Sequence, residues 1–124
     1  MIGFRFPLAV LALLCMPAPS VAGPAMSVKL LTVKLPVDAC VHRAARVYEL
    51  EGYTVSPGNE YYVWGDKGPH GAAIICTPAG GVTQVSVVVA EDPSGNSDAA
   101  MHEVDRLAFR LEELARDRNW ERRR

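Results

Sequence analysis

The sequence predicts an α+β fold, a two-layer sandwich in β-α-β-β-β-α order, with a mainly antiparallel sheet and two helices on one of its faces. Three observations predict it. Apolar residues recur at helical spacing in two segments, Val37 to Tyr48 and Ala100 to Ala115. Four shorter segments are apolar or alternate at strand length, bounded by Gly, Pro and Asn turns. Two stripes and one sheet are most simply buried against each other in two layers.

The chain opens on an export pattern that precedes any element of the fold. Met1 to Ala22 places Arg5 ahead of the apolar run Pro7 to Met16, then Pro17, Pro19 and the small residues Ser20, Val21 and Ala22 at cleavage positions. Cleavage after Ala22 would leave Gly23 as the new terminus, with Ala25 as a second choice. The apolar run is about half of the roughly 20 residues a membrane span requires, which argues against an uncleaved anchor. A lipoprotein would carry a small residue before Cys15, and Leu14 stands there. The expected organisation is a signal peptide over 1–22, a short leader over 23–27, one α+β domain over 28–115 and a charged tail over 116–124. The expected location is a bacterial periplasm or the medium outside the cell.

Val28 to Leu35 alternates as a strand, with Leu31, Val33 and Leu35 on one face. Pro36 ends it. Val37, Cys40, Val41, Ala44, Val47 and Tyr48 then form a helical stripe, with Asp38, His42, Arg43, Arg46 and Glu49 opposite, and Gly52 stops the helix. Tyr53 to Asn59 reads as a connection. Glu60 to Trp64 is an aromatic strand, Gly65 to Gly71 its turn, and Ala72 to Thr77 a strand apolar on both faces, hence central. Pro78 to Gly81 turns the chain into Val82 to Ala90, where Val85, Val87 and Val89 point one way and Gln84, Ser86 and Val88 the other. Ser97 caps the last helix. Its stripe is Ala100, Met101, Val104, Leu107, Ala108, Leu111, Leu114 and Ala115.

Removing Met1 to Ala22 takes 22 of 124 residues and leaves 102, enough for one core. The removed segment holds one base and no acid, so 13 Lys and Arg become 12 against 14 Asp and Glu. No basic field remains to draw nucleic acid. Of three cysteines, Cys15 leaves with the signal, and Cys40 and Cys76 remain in an oxidising compartment, which predicts one disulfide from the first helix to the central strand. Such a bond would contribute roughly 3 to 4 kcal/mol in the chain-entropy model.

No catalytic or cofactor motif rises above background. His42, His70 and His102 lack the i, i+4 spacing of a metal pair, so no metal and no cofactor is expected. Glu91-Asp92 and Glu112-Glu113 read as solvated carboxylates, and Ser86, Ser94 and Ser97 have no nucleophile elbow around them. Gly80-Gly81 lacks the lysine and helix of a phosphate loop. Tyr61 to Gly71 concentrates aromatics, charges and glycines, and Tyr62, Trp64, Asp66 and His70 are the candidate binding rim. Arg116 to Arg124, with Trp120 and the bases Arg122, Arg123 and Arg124, is a candidate for weak surface contact.

Leu35-Pro36 through Cys40, Gly52-Tyr53-Thr54-Val55, Gly71-Ala72-Ala73 and Cys76 resemble small bacterial secreted domains of unknown function with one helix-to-strand disulfide. The resemblance covers about Val28 to Leu114 and implies export and the two-layer fold; it brings no activity. The expected function is therefore non-enzymatic binding of an unknown protein or small ligand. An inhibitor or immunity protein against a secreted hydrolase, a small periplasmic enzyme and a structural envelope component are the alternatives.

Overall fold

In chain order the elements are β1 (Met26–Val33), α1 (Val37–Leu50), β2 (Thr54–Ser56), β3 (Tyr62–Lys67), β4 (His70–Ala79), β5 (Val82–Glu91) and α2 (Ser97–Arg116). This computed structural model describes residues 25–92 and 97–117, the Ser97 side chain excepted. The expected signal peptide, the start of the expected leader, the expected capping role of Ser97 and the tail from 118 onward, with Trp120, lie outside the described residues. The strands form one sheet in the order β1-β5-β4-β3-β2, antiparallel throughout, so the expected α+β class holds and Cys76 sits on the central strand. Both helices lie against the same sheet face, α1 over β4, β3 and β2, and α2 over β1 and β5.

β3, β4 and β5 run longer than the sequence pattern suggested, because ladder pairing recruits residues of weak strand propensity, whereas β1 keeps its length and lies two residues earlier than the expected Val28 to Leu35. Thr54 to Ser56 lies in the segment read as a connection and pairs with β3 as an extra edge strand. Gly65 to Lys67 continues β3 through the segment read as a turn, which shrinks to Gly68-Pro69 between the paired residues Lys67 and His70. At the other hairpin Gly80 and Gly81 have φ of 58° and 89°, the doubly left-handed conformation that a two-residue loop between twisted strands favours. Pro78 is tolerated inside β4 for a local reason. The Cys76 N–H donates to the Tyr61 carbonyl on the β3 side, and Pro78, two residues on, turns its nitrogen to that same side beyond the end of the β3 ladder.

α1 begins after Pro36 without a side-chain cap and carries Asp38 in its first turn. It ends in a Schellman motif. Gly52, at φ 79°, donates to the Glu49 carbonyl, and Tyr53 donates to the Tyr48 carbonyl at 2.8 Å. The rings of Tyr48 and Tyr53 pack at 5.3 Å across this turn, so the glycine stop also places both tyrosines.

The core lies between the layers, with Cys40, Val47, Tyr48, Ile74, Val85, Val87, Leu107 and Leu111 nearly or fully buried. Each large aliphatic among them contributes roughly 1.5–3 kcal/mol through burial. Cys40 and Cys76 are bonded, with Cα atoms 6.2 Å apart, pinning α1 to β4. Two side chains depart from their expected faces. Met101 is 54% exposed, and Glu103 takes the buried position on that part of α2. Arg43, expected on the polar face, is buried and donates from Nε to the Leu114 carbonyl at 3.0 Å, binding α1 to the C-terminal end of α2. Among the described residues no helix is long and apolar enough to cross a membrane.

Candidate functional site

Because partners in an antiparallel ladder share a face, the register sorts every strand residue to one side of the sheet. Away from the helices four cross-strand rows result. The first is Met26, Ala90, Gly71, Asp66 and Thr54; the second Val28, Val88, Ala73, Trp64 and Ser56; the third Leu30, Ser86, Ile75 and Tyr62; the fourth Thr32, Gln84 and Thr77. The middle two rows are dominated by large apolar side chains. A sheet face turned to water ordinarily carries mainly polar residues, and the middle rows of this one are mainly apolar. Among the described strand residues of these rows Asp66 carries the single charge.

The relief of this face follows from side-chain size. On the edge strand β1, Met26, Val28 and Leu30 are 62%, 56% and 74% exposed and make a ridge. Gly71, Ala73 and Ala90 are small and leave a hollow of about 630 Å³, walled by Met26, Val88, Ile75 and Trp64. Trp64 is itself half exposed, and its ring meets Tyr62 edge-on at 5.3 Å and 73°, a favoured aromatic pairing. The apolar centre bounded by Thr32, Gln84 and Thr77 at one end and Asp66 and Thr54 at the other has the core-and-rim composition of a contact surface.

Three of the four residues expected to form a rim, Tyr62, Trp64 and Asp66, thus come together on this open face. His70 does not join them. It belongs to β4 rather than to a turn, and its register partner Glu91 places it on the opposite, helix-covered side, with Nδ1 3.1 Å from the Glu91 carboxylate. Strand alternation explains the separation, since side chains an even number of residues apart along an extended strand share a face, and the intervening two-residue turn reverses the count. Met26, Val28, Leu30, Ile75 and Val88 complete the open face and were not singled out from the sequence. The signal for them was nonetheless present, because Val28 and Leu30 are apolar at the positions alternate to Leu31 and Val33.

A polar cluster borders the helix-covered side. Tyr53 donates its hydroxyl to the buried Glu103 carboxylate at 2.5 Å, and Lys67 Nζ stands 5.4 Å from the centre of the Tyr53 ring. Burial, followed by the hydrogen bond and charge of Glu103, pushes the Tyr53 phenol well above the ordinary tyrosine range. Tyr48 is pushed up likewise, first by burial and then by the charge of Asp66, and donates to the Val63 carbonyl at 3.2 Å. Glu51 closes the helix pair by accepting from Arg110 at 2.9 Å, an interaction that holds the Arg110 guanidinium proton more tightly. These contacts are internal ties between elements.

His42 and His102 are exposed on separate helices, Glu112-Glu113 lies on the surface of α2, and among the described residues no group of three or more His, Cys, Asp or Glu is placed to hold a metal ion. A second hollow, of about 650 Å³, lies between the end of β1 and the last turn of α2, lined by Lys34, Arg43, Glu112 and Arg116 among others. Its lining is of mixed charge and adjoins the tail. No protein-family model matches the chain, and no curated protein matches it.

Proposed function

We propose that the protein is an exported, non-enzymatic binding domain whose contact surface is the open face of its sheet. The observation that carries this reading is the pair of apolar rows, Val28-Val88-Ala73-Trp64 and Leu30-Ser86-Ile75-Tyr62, on the side away from both helices. Leaving such a surface in water forgoes about 25 cal/mol for each Å² of apolar area, and large contiguous patches of this kind mark interaction sites. Tyr62 and Trp64 supply rigid contact area, and Asp66 at the margin supplies a polar anchor for orientation.

Export rests on the Met1 to Ala22 pattern and on the chemistry of the two remaining cysteines, since structural disulfides belong to oxidising compartments. The mass of the exported protein should begin at Gly23, with two thiols open to alkylation only after reduction. A full-length mass, or two thiols alkylated without reductant, would remove the exported reading.

Binding is tested by placing a photo-crosslinking amino acid at Leu30 or Trp64, with Glu49 on the surface of α1 as the control position, in cells exporting the protein. Crosslinked species are expected from Leu30 and Trp64 and not from Glu49. Crosslinks from Glu49 alone would overturn the choice of surface.

A further inference from the structure

We propose that the occupant of the open face is a second copy of this chain, packed sheet to sheet in a two-fold dimer; this rests on the reading of that face as the contact surface. The argument begins with shape. The β1 ridge of Met26, Val28 and Leu30 stands on one side of β5, and the hollow over Gly71 and Ala73 lies on β4, the strand on the other side of β5. Neighbouring strands are about 4.8 Å apart, so ridge and hollow are nearly equidistant from β5. A two-fold axis running along β5, between two facing sheets, carries the ridge of each copy over the hollow of the other. Two identical contacts form and the assembly closes, as an isologous interface requires. Val88 and Ser86, on the outer side of β5, then face their own counterparts at the axis.

Area and charge agree with this arrangement. Four side chains of the face, Met26, Val28, Leu30 and Trp64, are each about half to three-quarters exposed. With large aromatic side chains offering roughly 150–250 Å² each when fully exposed and aliphatic ones somewhat less, these four and the half-buried Tyr62, Ile75 and Val88 present on the order of 500 Å² of apolar surface per copy. β3 lies one strand outside the partner's β1, so Trp64 and Tyr62 are covered only in part, by the flank of the ridge, and the pair removes on the order of 800 Å² of apolar surface. With the polar rim of Thr32, Gln84 and Thr77 the total reaches about 1,000 Å², the lower end for a specific interface. Such a stacking also suits the electrostatics. The two apolar middle rows contain no ionisable group other than the Tyr62 phenol, and the exposed Asp66 lies in the outermost row, at the end of the hollow beside the β3–β4 turn. Aligned sheets pack about 10 Å apart, a spacing that the ridge side chains fill.

The test is sedimentation of the exported, oxidised protein at concentrations from 1 to several hundred micromolar, with Leu30→Glu, Val28→Glu and Phe109→Glu variants. Phe109 is 62% exposed on α2, away from the face, and serves as the control. The parent and Phe109→Glu should sediment as dimers in the tens of micromolar, and Leu30→Glu and Val28→Glu should weaken association at least tenfold. Melting temperatures at about 1 micromolar, below the association range, should match that of the parent and show that each variant folds, as expected for residues more than half exposed.

A parent that stays monomeric at several hundred micromolar overturns the dimer, as does a dimer that Leu30→Glu leaves intact and Phe109→Glu dissociates. The crosslinks separate this failure from that of the binding reading. Products from Leu30 and Trp64 whose mass contains a different molecule leave the contact surface standing and remove the second copy as its occupant; absence of any product from these positions, with products from Glu49, removes both.

Discussion

A Cβ at position 65 would stand 2.8 Å from two carbons of the Tyr48 ring, so the buried Tyr48 side chain occupies the space that Gly65 leaves on the inner face of β3. The glycine reads in sequence as part of a turn. In the fold it is a strand residue whose lack of a side chain lets α1 settle onto the sheet, and lets the Tyr48 hydroxyl reach the Val63 carbonyl.

Gly65→Ala should therefore destabilise the protein by about 1–3 kcal/mol, the usual range for overpacking a rigid core. In a thermal melt Gly65→Ala with Tyr48→Leu should be less destabilised than the sum of the two single variants. Additivity would mean that the ring and the glycine are not coupled.

Tyr53→Phe removes the donor to Glu103 and leaves a buried carboxylate short of a partner, for which a loss of about 1–3 kcal/mol is expected. Tyr53→Phe with Glu103→Leu should recover much of it, because an apolar pair needs no hydrogen bond. Equal melting points for Tyr53→Phe and the parent protein would show that the bond contributes nothing.

The raised phenol pKa values of Tyr48 and Tyr53 make a prediction with a definite sign. Each folded phenol holds its proton more tightly than the unfolded one, so the associated stability is fully present below the unfolded value near pH 10 and falls as pH rises above it toward the folded value. Phenolate absorbance from two of the four tyrosines should appear only together with the loss of ellipticity in an alkaline titration. Ionisation of all four before any unfolding would contradict the burial of these rings.

Replacing Cys40 and Cys76 together with alanine should lower stability by roughly 3 to 4 kcal/mol, measured by denaturant unfolding, since the bond closes a loop across 36 positions. Because Cys40 and Cys76 lie on the inner side of the sheet, the substitution acts on folding, and whatever protein remains folded should keep the affinity of the open face. Loss of association in the folded fraction would tie the disulfide to the contact surface.

Local patterning was enough for the two helical stripes, for the inward set Val85, Val87 and Val89, and for a bond between a cysteine on α1 and one on the central strand. These properties follow from the periods of helix and strand, which a sequence displays directly. Cross-strand register decided the rest, because it joins residues far apart in the chain. It made Thr54 to Ser56 a strand, carried β3 through Gly65, and sent His70 to Glu91 on the covered face, away from Trp64. The exchange of Met101 for Glu103 in the buried layer had the same origin, since only the fold brings the Tyr53 hydroxyl to α2 and so supplies the hydrogen bond that makes an interior carboxylate tolerable. The open apolar face is the largest such effect. Its residues come from β1, β3, β4 and β5, and each reads as an ordinary strand position until pairing places them side by side, with both helices committed to the other layer.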